Sequence, residues 1–148
     1  MSAGEHLTIA PAEEADLPEV AALWERCGLT RPWNDPRADM TLARRGANST
    51  ILVGKHGDSV AASVMVGHDG HRGWVYYVAV DPAAQRSGLG RAIMTAAEDW
   101  LKLRGIAKVE LLIRPENSAV QRFYESLGYA VEPRIVMSRW LDGRPPTG

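Results

Sequence analysis

Cysteine is almost absent from this chain. Cys27 is the only one among 148 residues, which excludes an internal disulfide and a zinc site built on cysteines. A net charge of −1 at pH 7 leaves no basic surface of the kind that nucleic-acid-binding proteins carry. No apolar run approaches the length of a membrane span, and the first residues lack the charged start and apolar middle of a signal peptide. We therefore expect a cytoplasmic protein whose partners include neither nucleic acid nor membrane.

Two familiar phosphate-binding motifs are also missing. The sequence has no Gly-x-x-x-x-Gly-Lys-Ser/Thr, which excludes a P-loop. It has no Gly-x-Gly-x-x-Gly after a first strand, so a dinucleotide-binding fold is not expected. The length suits one domain with a sizeable core, and we predict a single domain over residues 1–148 with a loose tail at 142–148.

The central feature of the sequence is a strand that leads through a glycine-rich turn into a long helix. Residues 74–80 are aromatic and β-branched, which is typical of a buried strand. Gly88 and Gly90 expose the backbone where the helix begins, and an unobstructed helix N-terminus binds phosphate well. A turn with close packing would also explain the two glycines. The pattern predicts a diphosphate site made of Gln85, Arg86, Ser87, Gly88, Leu89, Gly90 and Arg91.

Short strands and helices follow one another along the rest of the chain. Asp16 and Glu19 have the spacing of a capping box at the start of the first helix. A crossover helix between the strands at 74–80 and 108–114 predicts a right-handed βαβ unit with parallel strands, whose ligands bind at the carboxyl ends. The pattern predicts strands at 7–10, 50–54, 59–66, 74–80, 108–114 and about 129–141, and helices at 16–27, 36–45, 89–104 and 117–127.

Two polar loops are candidates for contacts with a substrate. Trp33 lies beside Asn34 and Asp35, in a loop that is either anchored by a buried tryptophan or folded as a flap over a pocket. The loop at 67–73 holds two histidines and Asp69. Three ligands on one short flexible loop lack the spread of a usual metal site. We therefore expect a solvated hairpin loop without a metal, or a second loop that contacts substrate.

Residues 117–129 form the second informative stretch, Asn-Ser-Ala-Val-Gln-Arg-Phe-Tyr-Glu-Ser-Leu-Gly-Tyr. With residues 85–90 it resembles the two signatures of the GNAT acetyltransferases, of which the first is Gln/Arg-x-x-Gly-x-Gly/Ala. The two occur in the right order and are separated by the right helix and strand. The resemblance extends over nearly the whole chain, and at 23–27, 31–36 and 69–73 it is to the YpeA-type bacterial branch of the family.

The resemblance implies the α/β fold of the GNAT family, with a central mixed sheet of six to seven strands flanked by about four helices. Its fourth and fifth strands would separate to hold acetyl-CoA. It assigns contacts with the pantetheine arm to the backbone of Val78, Ala79 and Val80, as in β-augmentation. The backbone of 86–91 would bind the pyrophosphate and Asn117 would reach the arm, although Asn117 could equally be a helix cap. Tyr124 would be the general acid at the thiol, or else an ordinary core tyrosine.

The acceptor amine also needs a base, because a lysine-like amine has a pKa of about 10.4 and is protonated at neutral pH. The family's ribosomal-protein N-terminal acetyltransferases carry a base glutamate where Leu112 stands here. Glu110 and Glu116 are nearby, but both fit surface ion pairs, so the base stays unassigned.

The resemblance implies an acetyl-CoA-dependent N-acetyltransferase acting on a primary amine of a small molecule or protein. A non-catalytic acyl-CoA-binding module and a nucleotide or phosphate binder are the alternatives, and a homodimer is left open. The candidate acceptor contacts are Trp33, Asn34, Asp35, Asp69 and Tyr76.

Overall fold

The computed structural model describes residues 6–85 and 88–146. Its strands are β1 (Leu7–Pro11), β2 (Ser49–His56), β3 (Ser59–His68), β4 (Gly73–Val80) and β5 (Val109–Glu110). Its helices are α1 (Leu17–Arg26), α2 (Pro36–Arg45), α3 (Leu89–Lys102) and α4 (Ser118–Ser126). The chain forms two compact units, Met1–Leu112 and Ile113–Gly148. The first unit holds the sheet and α1–α3, and the second holds α4.

The sheet has the order β1-β2-β3-β4-β5. Its first three pairings are antiparallel, and β4 and β5 are parallel, as the crossover through α3 requires. Successive side chains of a strand point to opposite faces. One face packs on α1 and α2 around a core that includes Trp24, Met40 and Ile51. The other face receives the buried side of α3, including Ile93 and Leu101.

α2 confirms the predicted helix, whereas the start of α1 differs from the prediction. Asp35 precedes Pro36 and accepts hydrogen bonds from the first N–H groups of α2. Asp16 makes no such cap for α1. Its carboxylate accepts from the Glu13 N–H at 2.8 Å and lies 2.6 Å from the Lys55 ammonium. Burial raises the pKa of Asp16, but these hydrogen bonds and the charge of Lys55 outweigh burial and leave it below its usual value. The predicted capping pair with Glu19 is therefore wrong, because Asp16 pairs with Glu13 and with Lys55 of β2 instead.

Within residues 6–85 and 88–146 the sheet has five strands rather than the predicted six to seven. β5 covers two residues instead of the predicted 108–114. The predicted strand at 129–141 is also wrong, since residues 113–146 contain a helix but no strand. Val131, Ile135 and Met137 are largely exposed there. A strand is stable only when a neighbour takes up its backbone hydrogen bonds, which a local hydrophobic pattern does not guarantee.

The helices in the described ranges are also too short or too polar to cross a lipid bilayer.

Candidate functional site

The candidate site lies where β4 and β5 separate. The two strands pair only at Gly73 with Val109 and at Trp74 with Glu110. Beyond Trp74, β4 continues to Val80 in pairing with β3, but no strand described here pairs with its other edge. Over residues 75–80, the backbone groups that point away from β3 therefore have no strand partner among the described residues.

A β-bulge interrupts β4 at the start of this open edge. Met65 of β3 pairs with Tyr76, but the next register pair joins Ser63 to Ala79, so β4 contains one extra residue. Tyr77 lies in the bulge with φ of +53°, and no other non-glycine residue in the described part of the chain has a positive φ. A bulge of this kind changes the direction in which the following backbone groups point.

The backbone hydrogen bonds show that change of direction. Gly73 donates its N–H to a carbonyl next to β5 at 2.8 Å, whereas Asp81 donates to a carbonyl of β3 at 2.8 Å. In an uninterrupted strand these two residues, which are an even number of positions apart, would face the same edge. The extra residue reverses the alternation. Counting back from Asp81, the N–H and C=O groups of Val78 and Val80 face the open edge.

The side chain of Tyr77 has two firm partners on neighbouring elements, and one of them, Trp24, is itself hydrogen-bonded to β3. Its ring stacks on Trp24 with centroids 3.8 Å apart and planes 3° from parallel. The Tyr77 hydroxyl donates to the Asp39 carboxylate on α2 at 2.8 Å. The indole N–H of Trp24 donates to the hydroxyl of Ser63 on β3, also at 2.8 Å. Burial and then the hydrogen bond to Asp39 raise the pKa of Tyr77, so its hydroxyl remains a donor at neutral pH.

The turn after β4 is held by contacts from the end of α1. The Cys27 thiol donates to the Val80 carbonyl at 3.2 Å. Burial raises the pKa of this thiol, whereas a reactive cysteine has a lowered one. Asp81 forms an ion pair with Arg26 at 3.0 Å and accepts from the Ala83 N–H at 3.0 Å. The end of β4 and the first residues of the turn are thereby fixed to α1.

Gly88 provides the entry into α3. Its φ of +82° is in the left-handed region that favours glycine, and a Cβ placed there would meet no atom within 4 Å. Ala92 donates the helix's first backbone bond to the Gly88 carbonyl. The N–H groups of Leu89, Gly90 and Arg91 precede it and have no partner within the helix. Of the predicted diphosphate site, Arg86 and Ser87 lie outside the described residues.

Asn117 and Tyr124 both belong to the second unit. Asn117 is exposed and occupies the cap position of α4, but its side chain makes no hydrogen bond to that helix. Tyr124 is only 7% exposed, and its ring meets the edges of Phe123 and Tyr129. Burial raises its pKa to about 12. Tyr124 is therefore a protonated hydroxyl at neutral pH, and the side chain of Asn117 does not act as the cap.

The five candidate acceptor contacts differ in their exposure and in the hydrogen bonds that they make within the protein. Asp35 accepts from two N–H groups of α2, and Asp69 accepts from the N–H groups of residues 71 and 72 and from the indole of Trp74. The hydrogen bonds from those two backbone groups lower the pKa of Asp69. Asn34 is exposed and Trp33 is half-buried. The carboxylates of Asp35 and Asp69 are thus engaged in hydrogen bonds within the protein. Tyr76 lies on β4 and is 44% exposed, so its side chain is accessible to a ligand.

The two glutamates considered as the general base have the surroundings of ordinary surface residues. Glu110 lies 3.7 Å from the Arg72 guanidinium, as a surface ion pair would, and Glu116 is exposed. Leu112 is 52% exposed. Sequence reasoning missed Asp39, because an acidic residue in the first turn of a helix is common and carries no signal of its own.

Comparison with known proteins agrees with this geometry. Residues 17–129 match the model of the Acetyltransferase (GNAT) family. An acetyltransferase from Sodalis glossinidius is 38% identical over 122 residues, which cover 82% of this chain and 86% of that protein. This chain belongs to the GNAT family. It is an acetyltransferase, and the predicted enzyme class of N-acetyltransferase is confirmed.

Solved structures also share the GNAT fold. The ribosomal-protein-S18-alanine N-acetyltransferase from Escherichia coli superposes with a TM-score of 0.71 at 30% identity, over 83% of this chain and 77% of that one. The structure of AAC(6')-Iy in complex with the bisubstrate analogue CoA-S-monomethyl-acetylneamine has a TM-score of 0.79 at 15% identity, over 91% and 98%. At that identity the second likeness shows the fold alone.

Proposed function

We propose that this GNAT protein transfers an acetyl group from acetyl-CoA directly to a primary amine of a small molecule or a protein. The observation that carries the proposal is the open edge of β4, which leads through a short turn to the N-terminus of α3. The similarity to an enzyme named as an N-acetyltransferase of a ribosomal-protein alanine supports an amine as the acceptor. A cytoplasmic location, predicted from the sequence, is part of the proposal.

The described residues fit a ligand of the CoA type. The backbone groups of Val78 and Val80 face the open edge of β4 and, with Ala79 between them, would pair with the amides of the pantetheine arm. The N–H groups of Leu89, Gly90 and Arg91, which have no partner within α3, would bind the pyrophosphate together with the Arg91 guanidinium. Asn117 would contact the arm, since its exposed amide is not used in capping α4.

Acetyl-CoA supplies a thioester whose acyl carbon an amine can attack. The protein's share is to hold donors where negative charge develops, and a backbone N–H at Val78 suits the acyl oxygen. We assign Tyr124 to the sulfur. Its pKa of about 12 exceeds the value of about 8.5 for an ordinary thiol. Tyr124 would therefore act through a strong hydrogen bond to the departing thiolate. It could pass its proton to the sulfur only if the proton released by the attacking amine replaces it, so that the products are the amide, the CoA thiol and neutral Tyr124.

Two measurements on the wild-type protein test the proposal. Calorimetric titration with acetyl-CoA should give saturable heat, and a thiol-release assay over a panel of primary amines should give turnover with at least one of them. Protein that is folded by circular dichroism and gives no heat with acetyl-CoA would overturn the assigned cofactor. Binding without turnover on the whole panel would favour the non-catalytic acyl-CoA module instead.

A further inference from the structure

Tyr77 occupies a conformation that its chemistry disfavours. Its φ of +53° is unique among the non-glycine residues of the described ranges, and for a bulky L-residue such an angle is a genuine outlier. Strain of this kind persists only where the surroundings impose it, and it is concentrated at functional sites. The contacts of the Tyr77 side chain are therefore expected to serve a function in addition to core packing.

The first of these contacts ties the ring to the strand opposite the bulge. Trp24 is fully buried and stacks flat on the Tyr77 ring. Its indole N–H is bonded to Ser63, the β3 residue at which the register shifts. Trp24 and Ser63 thus form a rigid surface, fixed to β3, against which the Tyr77 ring is held.

The second contact ties the hydroxyl to α2. Asp39 lies in the first turn of α2, where its own N–H donates to the Asp35 carbonyl at 3.0 Å. A hydroxyl that donates to a carboxylate forms one of the stronger hydrogen bonds in proteins. At 2.8 Å this bond prevents the Tyr77 side chain from rotating away, so the ring cannot release the backbone to a relaxed angle.

The residue that follows this clamped position is Val78, whose N–H faces the open edge. If the bulge relaxed, the strand would regain its regular alternation, and the Val78 N–H would turn toward β3. We propose that Tyr77 is a positioning residue, whose ring and hydroxyl, held by Trp24 and Asp39, keep the Val78 N–H aimed at the acyl oxygen of the bound thioester. This inference rests on the proposed function, because it concerns the geometry of that reaction.

Single substitutions separate positioning from stability. Tyr77→Phe keeps the ring and its stack but removes the hydroxyl, and Asp39→Ala removes the acceptor. We expect each to lower kcat about 10-fold while KM for acetyl-CoA changes by less than about threefold, since a donor misaimed at the transition state affects the chemical step, and losing one outright costs about 10²–10³-fold. Combined, they should cost no more than either alone. Asp39→Asn, which keeps a neutral acceptor, should restore part of the loss.

A control and a spectroscopic measurement complete the test. Thr41→Val removes a hydroxyl bonded to the Arg37 carbonyl on the same helix and should leave kcat unchanged. In amide NMR spectra the Val78 and Val80 signals should move in Tyr77→Phe and stay in place in Thr41→Val. Unchanged amide signals and unchanged kcat in folded Tyr77→Phe would overturn the positioning role. A lower melting temperature with unchanged kcat would overturn it as well, since it would show a role in stability alone. If Tyr77→Phe does not fold, Asp39→Ala is the deciding variant.

The failures of the two proposals are distinguishable. A wild-type protein without acetyl-CoA heat or amine turnover refutes the proposed function, whatever Tyr77 does. A wild-type protein that is active, but whose Tyr77→Phe variant is equally active with the same Val78 amide signal, refutes only the positioning role.

Discussion

Replacing Gly88 with glutamate should abolish acetyl-CoA binding while leaving the fold intact. The new side chain meets open space, so its steric cost to the folded protein is small. Its backbone cost comes from the φ of +82°, which is worth about 1–2 kcal/mol for an L-residue. A carboxylate at the N-terminus of α3 gains back about 0.3–1 kcal/mol from the helix dipole. The protein should therefore remain folded at room temperature.

The cost to binding is larger, because the carboxylate would occupy the place proposed for the pyrophosphate. Two like charges about 4 Å apart repel by about 4 kcal/mol at an effective dielectric constant of 20. That corresponds to about a thousandfold loss of affinity at about 1.4 kcal/mol per factor of ten, before the added bulk is counted. Calorimetry with acetyl-CoA should then register no heat at concentrations that saturate the wild type.

Gly105 offers a matched control at the other end of the same helix. Its φ is +77°, and a Cβ there also meets nothing within 4 Å. Gly105→Glu thus introduces the same charge and nearly the same backbone strain far from the proposed phosphate site. It should bind acetyl-CoA like the wild type and lose somewhat more thermal stability than Gly88→Glu, because a carboxylate at the C-terminal end of a helix opposes the helix dipole. Equal affinity in both variants, or equal loss in both, would refute the assignment of the pyrophosphate to the start of α3.

Three further changes test other parts of the structure. Tyr124→Phe should lower kcat by about 10²-fold or more with an unchanged calorimetric Kd for acetyl-CoA, and equal turnover would remove its assigned role. Gly73→Ala should destabilise the fold by about 1–3 kcal/mol in urea unfolding, because the new Cβ would lie 2.5 Å from a methyl of Leu101; adding Leu101→Ala should cost less than the separate effects combined. The pKa of Asp16 is held low by Lys55 and the Glu13 N–H, so its share of stability is present above about pH 3.9, the unfolded value, and is lost as the pH falls through the folded value. Urea unfolding of Asp16→Asn should accordingly show a shallower loss of stability below pH 4, and an unaltered acid profile would contradict this.

The sequence predicts best those elements whose cause is local. α2 begins after Asp35-Pro36 and ends at Arg45 as expected, because a capping side chain and a proline act within one turn. β4 and α3 are likewise evident from an aromatic, β-branched run followed by glycines. The parallel pairing of β4 with β5 follows from chain topology alone.

Elements that depend on distant partners were not predictable in the same way. Asp16 has the sequence position of a helix cap, but it forms an ion pair with Lys55 of β2, which is distant in sequence. The residues at 129–141 have an apolar pattern yet form no strand, since strand formation is decided by an available neighbour. Nothing local distinguishes Tyr77 from Tyr76, because the partners of Tyr77, Trp24 on α1 and Asp39 on α2, are distant in sequence.

An unpaired strand edge is normally a hazard, since its free N–H and C=O groups invite pairing with another chain. In β4 the exposed edge is short and begins with a bulge, and bulges twist an edge away from flat pairing. The same bulge turns the Val78 and Val80 groups outward. A feature that protects the free protein would thus also prepare the edge for the amides of a pantetheine arm, which resemble a strand backbone. Under the proposed function, this double use would account for a strained tyrosine held by α1 and α2, because a regular strand would present the backbone groups of Tyr77 and Ala79 at the edge instead.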